Sequence, residues 1–124
     1  MKILVVDDEI DVKFLFEQRF RKERKNGEIE FQFAHSGEEA LQLLEASGNA
    51  DLALILSDIN MPGMNGLQLL KVLREKYENL RVFMITAYGD DANRKQAEEY
   101  GANDYLTKPL DFSDLKDKIL SSQS

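Results

Sequence analysis

The stretch Leu52–Gly66, LALILSDINMPGMNG, decides the fold of this chain. Its first five residues are all apolar, which is typical of a strand that helices cover on both faces of a parallel sheet. The run ends at Ser57 and Asp58, and a loop with one proline and two glycines then leads into the next helix. Asp58 is therefore predicted at the carboxyl end of a central strand, the edge at which open α/β sheets bind ligands.

The composition restricts the possible classes of protein. A chain of 124 residues has the size of one domain with one core. The net charge of −7 and the pI of about 4.7 argue against direct nucleic-acid binding. The absence of cysteine excludes a disulfide framework and a thiol nucleophile. The short apolar start ends in acidic residues, unlike a signal peptide, and no run could cross a bilayer, so we expect a cytoplasmic protein without membrane contact.

Apolar runs alternate with helix-period segments five times along the chain. Strands are predicted at 3–6, 29–33, 52–56, 81–85 and 104–107, and helices at 10–25, 36–46, 66–77, 89–100 and from Asp111 onward. Ser36 and Asp111 are predicted to cap the second and fifth helices, and Ser47-Gly48-Asn49 should end the second. Five βα units imply a doubly wound parallel sheet with helices on both faces, joined by right-handed crossovers. We expect a single α/β domain, residues 1–124, with the flavodoxin-like strand order 2-1-3-4-5.

Polar side chains follow four of the predicted strands and should meet at one edge of the sheet. They are Asp7 and Asp8, Asp58, Thr86 and Lys108. Three carboxylates in one cleft repel one another, and a hard divalent cation such as Mg²⁺ would relieve the repulsion. The cation and Lys108 together would stabilise a transferring phosphoryl group, which the carboxylate of Asp58 could accept as an acyl phosphate. Each residue alone has an ordinary structural explanation, but the combination favours phosphoryl chemistry.

These residues lie in motifs that resemble the receiver domains of two-component response regulators, including the chemotaxis-regulator type. The motifs cover the chain in the family's order and spacing, and the combination is specific although each motif alone is not. They are Val5-Val6-Asp7-Asp8-Glu9, Ser57-Asp58-Ile59-Asn60-Met61-Pro62-Gly63-Met64-Asn65-Gly66, Thr86-Ala87, Gly101-Ala102, Asp104-Tyr105 and Lys108-Pro109.

The resemblance implies a role for each residue of the acidic site. Asp58 would accept a phosphoryl group from a phosphohistidine of a sensor histidine kinase or a histidine phosphotransfer protein. Asp8, Asp58 and the backbone carbonyl of Asn60 would ligate Mg²⁺, with Asp7 acting through water. Lys108 would pair with the phosphoryl group. A cis peptide bond between Lys108 and Pro109 is also implied.

The resemblance further implies a phosphorylation-dependent signalling switch. Thr86 and Tyr105 would be the switch pair, and the fourth helix, fifth strand and fifth helix would change to regulate an output protein that the sequence does not identify. Residues two places beyond Asp58 and Thr86, which are Asn60 and Tyr88, would tune the lifetime of the phosphate. A bulky uncharged Tyr88 predicts slow self-dephosphorylation. By this interpretation the chain catalyses only its own phosphorylation and slow dephosphorylation.

The first predicted helix has more apolar residues than one buried stripe can use: Ile10, Val12, Phe14, Leu15, Phe16 and Phe20. Deep packing by large side chains and a partner surface explain this surplus equally well. An exposed Phe14 would favour docking of a helical phosphodonor.

Other functions are weaker alternatives. A haloacid-dehalogenase-like phosphatase needs a second acid two residues after its nucleophile, where this chain has Asn60. A flavodoxin needs a phosphate loop rich in glycine and hydroxyl groups after the first strand, where Asp7-Asp8-Glu9 would repel phosphate. The remaining alternative is a degenerate receiver that acts as a phosphorylation-independent interaction module, and the intact acidic cluster argues against it.

Overall fold

The structure is a computed structural model that describes residues 1–48, 50–87 and 89–121. Within these ranges it has five strands and six helices. The strands are β1 (Lys2–Val6), β2 (Glu30–Ala34), β3 (Leu52–Asp58), β4 (Val82–Thr86) and β5 (Asp104–Thr107). The helices are α1 (Asp11–Arg19), α2 (Arg21–Lys25), α3 (Gly37–Ser47), α4 (Gly66–Lys76), α5 (Asp91–Glu99) and α6 (Phe112–Ser121).

The five strands form one parallel sheet in the order β2-β1-β3-β4-β5, as the sequence predicts. Val6 pairs with Ser57, Asp58 with Ile85, and Thr86 with Thr107. The carboxyl ends of β1, β3, β4 and β5 therefore lie at the same level along one edge. The order changes direction between β1 and β3, and this switch point is where doubly wound sheets bind ligands.

Alternate residues of the strands enter two separate cores, one on each face of the sheet. On one face, Ile55 and Met84 pack with the leucines of α3 and α4. On the other face, Leu54 and Phe83 pack with Phe16 of α1, with Phe20 between α1 and α2, and with the apolar face of α6. Burial on both faces explains why β3 is a continuous apolar run in the sequence.

The prediction of a single first helix over residues 10–25 is wrong, because the structure has two helices there, α1 and α2. The helical segment is interrupted at Phe20, whose φ of −106° and ψ of 22° depart from helical values. The ring of Phe20 is fully buried and lies 5.1 Å from the ring of Phe31, between centroids. This packing accompanies the departure from helical geometry, which sequence periodicity does not reveal. Because α1 and α2 replace one predicted helix, the fourth and fifth predicted helices are α5 and α6.

The other predicted elements are present, with bounds that differ by at most two residues. Ser36 caps α3 as predicted, its hydroxyl accepting a hydrogen bond from the Glu39 N–H at 3.0 Å. Asp111 caps α6, and its carboxylate accepts hydrogen bonds from the N–H groups of Ser113 and Asp114. The predicted breaker Asn49 and the residues after position 121 lie outside the described residues.

Candidate functional site

Backbone hydrogen bonds continue past the strand ends and fix the loops that carry the polar residues. The N–H of Asp7 donates to the Ala34 carbonyl at 3.0 Å, and the N–H of Ile59 donates to the Ile85 carbonyl at 3.0 Å. The N–H of Lys108 donates to the Thr86 carbonyl at 2.9 Å. The loops after β1, β3 and β5 are thus held by the neighbouring strand, which gives their side chains defined positions.

Asp58 is the last residue of β3, and its side chain is almost fully buried. Lys108 Nζ donates to Asp58 Oδ2 at 2.8 Å, across fifty positions of sequence. The Asn60 N–H donates to Asp58 Oδ1 at 3.3 Å. A charge-assisted bond from Lys108 compensates part of the cost of burying this carboxylate.

Asp7 is buried beside Asp58 and carries an unfavourable charge. Burial raises the pKa of Asp7 to about 6, and the charge of Asp58 adds to this increase. The hydrogen bond from the Glu9 N–H at 2.9 Å and the Lys108 ammonium, 3.8 Å from Asp7 Oδ2, act in the opposite direction. Burial lowers the pKa of Lys108, but its bond to Asp58 and the nearby acids outweigh burial and raise it. Lys108 therefore stays protonated.

Asp7, Asp8 and Asp58 form a group that could hold a metal ion. Each offers one carboxylate oxygen, and these oxygens lie within 4.8 Å of one another. Asp8 is exposed while the other two are buried, so a cation would have a route from solvent. The all-oxygen donor set and the presence of three carboxylates beside a single lysine fit a hard cation such as Mg²⁺.

Thr86 and Tyr105 lie at different depths. Thr86 ends β4 and is 1% exposed, with its hydroxyl donating weakly to the Ala87 carbonyl at 3.5 Å. The Tyr105 side chain turns toward α5, where its hydroxyl donates to Glu98 Oε1 at 2.8 Å. The Arg94 guanidinium lies 3.9 Å from the centre of the Tyr105 ring. Arg94 and Glu98 could not be predicted as parts of the site, because nothing in their spacing marks them as neighbours of Tyr105.

Gly66 also contributes to the site in a way the sequence does not reveal. A Cβ at this position would lie 2.1 Å from the carbonyl oxygen of Asp58, so the loop closes only because residue 66 has no side chain. The Gly66 N–H donates to the Ile59 carbonyl at 2.9 Å, which ties the start of α4 to the end of β3. Tyr88, predicted to affect phosphate lifetime, lies outside the described residues.

Large apolar side chains are exposed at the start of α1 and along its first turns. Ile10 is 78% exposed and Phe14 is 71% exposed, whereas Phe16 is buried. A groove of about 830 Å³ is lined by Val12 and Phe16 of α1, by the loop 109–113, and by Asp7 and Lys108. The peptide bond between Lys108 and Pro109 in that loop is cis, as the resemblance implies.

Comparison with known proteins identifies the family. Residues 3–120 match the family model of the response regulator receiver domain, and the chain belongs to this family. It is 35% identical over 118 residues to sporulation initiation phosphotransferase F of Bacillus subtilis (strain 168), covering 95% of this chain and 90% of that protein.

Solved structures agree with this assignment. The response regulator protein TrrA of Thermotoga maritima, in complex with Mg²⁺-BeF, matches with a TM-score of 0.80 and 30% identity over 97% of this chain and 96% of that chain. The receiver domain of Saccharomyces cerevisiae Ssk1, in a co-crystal structure with the histidine phosphotransfer signalling protein Ypd1, matches with a TM-score of 0.81 and 25% identity over 96% of this chain and 86% of that chain.

The chain is therefore a receiver domain of two-component signalling. Among its described helices, none combines the length and apolar character that a membrane crossing requires. The acidic cluster and Lys108 lie together at the sheet edge predicted from the sequence. The carboxylate oxygens of the cluster lie within 4.8 Å of one another, and Lys108 Nζ lies 2.8 Å from Asp58 Oδ2.

Proposed function

We propose that this protein is a phosphorylation-dependent signalling switch that accepts a phosphoryl group on Asp58. One observation carries the proposal. A buried carboxylate at the end of a central strand is bonded to a lysine at 2.8 Å and lies within a group of three carboxylates that could hold a metal ion. This arrangement offers a nucleophile and a fixed positive charge at a single point.

In the proposed reaction, a carboxylate oxygen of Asp58 forms a bond to phosphorus while the bond between phosphorus and the donor's histidine nitrogen breaks. The bonding electron pair stays on that nitrogen, and the other ring nitrogen of the donor histidine carries a proton, so the products are an acyl phosphate and a neutral imidazole. Phosphoryl transfer needs mainly in-line positioning and stabilisation of charge on the phosphoryl oxygens. Lys108 supplies one fixed positive charge at Asp58, and the Thr86 hydroxyl could turn from its weak bond to Ala87 toward a phosphoryl oxygen.

Asp8, Asp58 and the backbone carbonyl of Asn60 would hold Mg²⁺, with Asp7 bound through water. When bound, the cation would neutralise charge on the phosphoryl oxygens. Asp7 and Asp58 would then no longer repel each other across the cleft, so the protein's own carboxylates favour the loaded site. After burial, the charge of Asp58 also raises the pKa of Asp7, which supports a mutual repulsion of the two carboxylates.

Movements of the Thr86 and Tyr105 side chains would transmit phosphorylation of Asp58 to the surface of the protein. A Thr86 side chain drawn toward the phosphoryl group would vacate space behind it, and Tyr105 would turn inward from Glu98. The α5–β5–α6 surface would change, because Tyr105 contacts Arg94 and Glu98 of α5. This surface would regulate an output protein, and the 1–124 unit would act as the phosphoacceptor domain.

The phosphodonor would be a sensor histidine kinase or a histidine phosphotransfer protein that docks on α1. The exposed Ile10 and Phe14, which closely follow Asp7 and Asp8 in the chain, support this, as does the Ssk1 receiver crystallised with a histidine phosphotransfer protein. The chain would catalyse only its own phosphorylation and a slow dephosphorylation, with Asn60 and Tyr88 setting the lifetime of the phosphate.

The direct test uses acetyl phosphate, which needs no protein partner. Intact mass spectrometry should detect one added phosphoryl group in the presence of Mg²⁺ and none in EDTA. Asp58→Asn should abolish labelling. Asp51→Asn is the matched control, because Asp51 is exposed and precedes the opposite end of the same strand. Normal labelling of Asp58→Asn would refute the assignment of the phosphoacceptor.

A further inference from the structure

A basic segment follows the exposed apolar part of α1. Residues 19–25, RFRKERK, contain five of the chain's 16 Lys and Arg residues and one Glu, although the chain as a whole has a net charge of −7. All five cations are exposed: Arg19, Arg21, Lys22, Arg24 and Lys25. Such a concentration of one charge in an acidic protein creates a local field of opposite sign to the rest of the surface.

Three of the five cations are available to a partner. Arg24 pairs with Glu17 at 3.3 Å, and the Arg19 guanidinium lies 5.5 Å from the centre of the Phe112 ring. Within the described ranges, no ion pair is formed by Arg21, Lys22 or Lys25. The single acid of the segment, Glu23, is partly buried and bonded to Lys116 at 3.3 Å, so it does not neutralise them.

The basic segment continues the side of α1 that carries the exposed apolar residues. Hydrogen bonds of helical spacing cross the interruption, since the Phe20 N–H donates to the Phe16 carbonyl and the Arg24 N–H to the Phe20 carbonyl. Positions three or four apart on a helix share one side. Exposed residues follow that spacing along one line: Ile10, Phe14, Gln18, Arg21 and Lys25.

We propose that α1 and α2 form one docking stripe for the phosphodonor, defined by Ile10, Phe14, Arg21, Lys22 and Lys25. The stripe is apolar at the N-terminal end of α1 and basic about 16 Å further along, at 1.5 Å per residue from position 14 to position 25. The donor it fits has an apolar surface beside its phosphohistidine and acidic side chains at that distance. The inference rests on the proposed function and adds the charge that the donor must carry.

An acidic protein fits this stripe better than a nucleic acid or a membrane does. The net charge of −7 opposes the approach of a polyanion, and three free cations could neutralise few phosphates. Phe14 is the single aromatic residue of the stripe, so successive bases would find no series of rings on which to stack. Charge pairs at the rim of an apolar contact act mainly on association rate and partner choice, which is what a receiver needs in order to distinguish one donor from another.

The test measures the second-order rate of phosphotransfer from the autophosphorylated histidine kinases and histidine phosphotransfer proteins encoded in the same genome. One variant combines Arg21→Gln, Lys22→Gln and Lys25→Gln. The control combines Lys71→Gln, Lys76→Gln and Lys95→Gln, which makes the same change of net charge at exposed positions on α4 and α5. Glutamine has a helix propensity similar to that of lysine and arginine, so both variants should fold.

The preferred donor should phosphorylate the α2 variant about tenfold more slowly at low salt, which is ~1.4 kcal/mol. The control should keep the wild-type rate, and the difference should shrink at ~0.5 M salt because salt screens exposed charges. Acetyl phosphate should label all three proteins equally.

Equal rates for both variants, or a loss that salt does not reduce, would overturn the stripe. Acetyl phosphate labelling without transfer from any donor would also overturn it, while leaving phosphorylation of Asp58 intact. Failure of acetyl phosphate to label the wild type would instead count against the proposed function. If the α2 variant keeps its transfer rate but loses binding to duplex DNA or to vesicles containing phosphatidylserine, the basic segment serves an anionic polymer or membrane and the stripe is wrong.

Discussion

Replacing Asp7 with asparagine should make the protein more stable at neutral pH when no divalent cation is present. Burial raises the pKa of Asp7 from 3.8 to about 6, although the Glu9 N–H bond opposes this increase. An acid with a raised pKa in the folded state adds stability that is complete below its unfolded pKa and is lost as the pH rises through its folded pKa. The ionised Asp7 therefore lowers the free energy of unfolding at pH 7.

The increase in the pKa of Asp7 determines how much the free energy of unfolding depends on pH. A difference of about two units corresponds to about 3 kcal/mol over the whole titration, at 1.36 kcal/mol per unit. Between pH 5 and pH 7, ionisation of Asp7 alone should lower the free energy of unfolding of the wild type by about 1.3 kcal/mol. The asparagine Oδ1 could still accept the hydrogen bond that the Glu9 N–H gives to Asp7 Oδ1 at 2.9 Å, so the variant should lose little else.

Urea unfolding at pH 5 and pH 7, in the presence of a chelator, measures this difference. From pH 5 to pH 7, the free energy of unfolding should fall by about 1.3 kcal/mol more for the wild type than for Asp7→Asn. Contributions from other titrating groups cancel in this comparison because both proteins share them. Adding ~20 mM Mg²⁺ at pH 7 should stabilise wild type more than the variant. Parallel pH dependences, or a variant less stable than wild type at pH 7, would refute the electrostatic account of the site.

Three further outcomes are expected. Phe14→Ala should cost less than about 0.5 kcal/mol of stability, since the side chain is 71% exposed, yet it should slow phosphotransfer from a protein donor while acetyl phosphate labelling stays normal; a loss of several kcal/mol in urea would place Phe14 in the core. Gly66→Ala should cost about 1–3 kcal/mol and slow acetyl phosphate labelling, because its Cβ would meet the Asp58 carbonyl; unchanged unfolding and labelling would contradict this. Hydrogen exchange should show α5 opening more readily than α4, because one residue of α5 is buried and five of α4 are; strongest protection in α5 would argue against its role as the mobile element.

Much of the fold could be predicted because each element carries its own signal. The apolar run of β3 reflects burial on both faces, and Ser36 and Asp111 mark helix starts with caps that the structure confirms. Parallel strands place their carboxyl ends together, so Asp7, Asp58 and Lys108 could be assigned to one edge before any distance was known.

Features that depend on side-chain contacts between different helices and strands could not be predicted from the sequence. The interruption at Phe20 accompanies the packing of its ring against Phe31, and helical periodicity runs through that position without a break. The hydrogen bond of Tyr105 to Glu98 joins two elements through side chains that any exposed helix could carry. The surplus of apolar residues in α1 allowed either deep packing or exposure, and only the structure separates the buried Phe16 from the exposed Phe14.

In the proposed switch, phosphorylation of Asp58 changes the α5–β5–α6 surface through Thr86 and Tyr105. Beryllofluoride with Mg²⁺, the ligand in the Thermotoga maritima TrrA structure, provides a stable probe for this claim. Amide chemical shifts should change near Asp58 and also along α5, β5 and the start of α6, and they should return to their initial values when EDTA removes the metal. Shifts that stay unchanged with beryllofluoride and Mg²⁺ together, or that change only in the loops around Asp58, would contradict a phosphorylation-dependent switch and favour an interaction module that phosphorylation does not control.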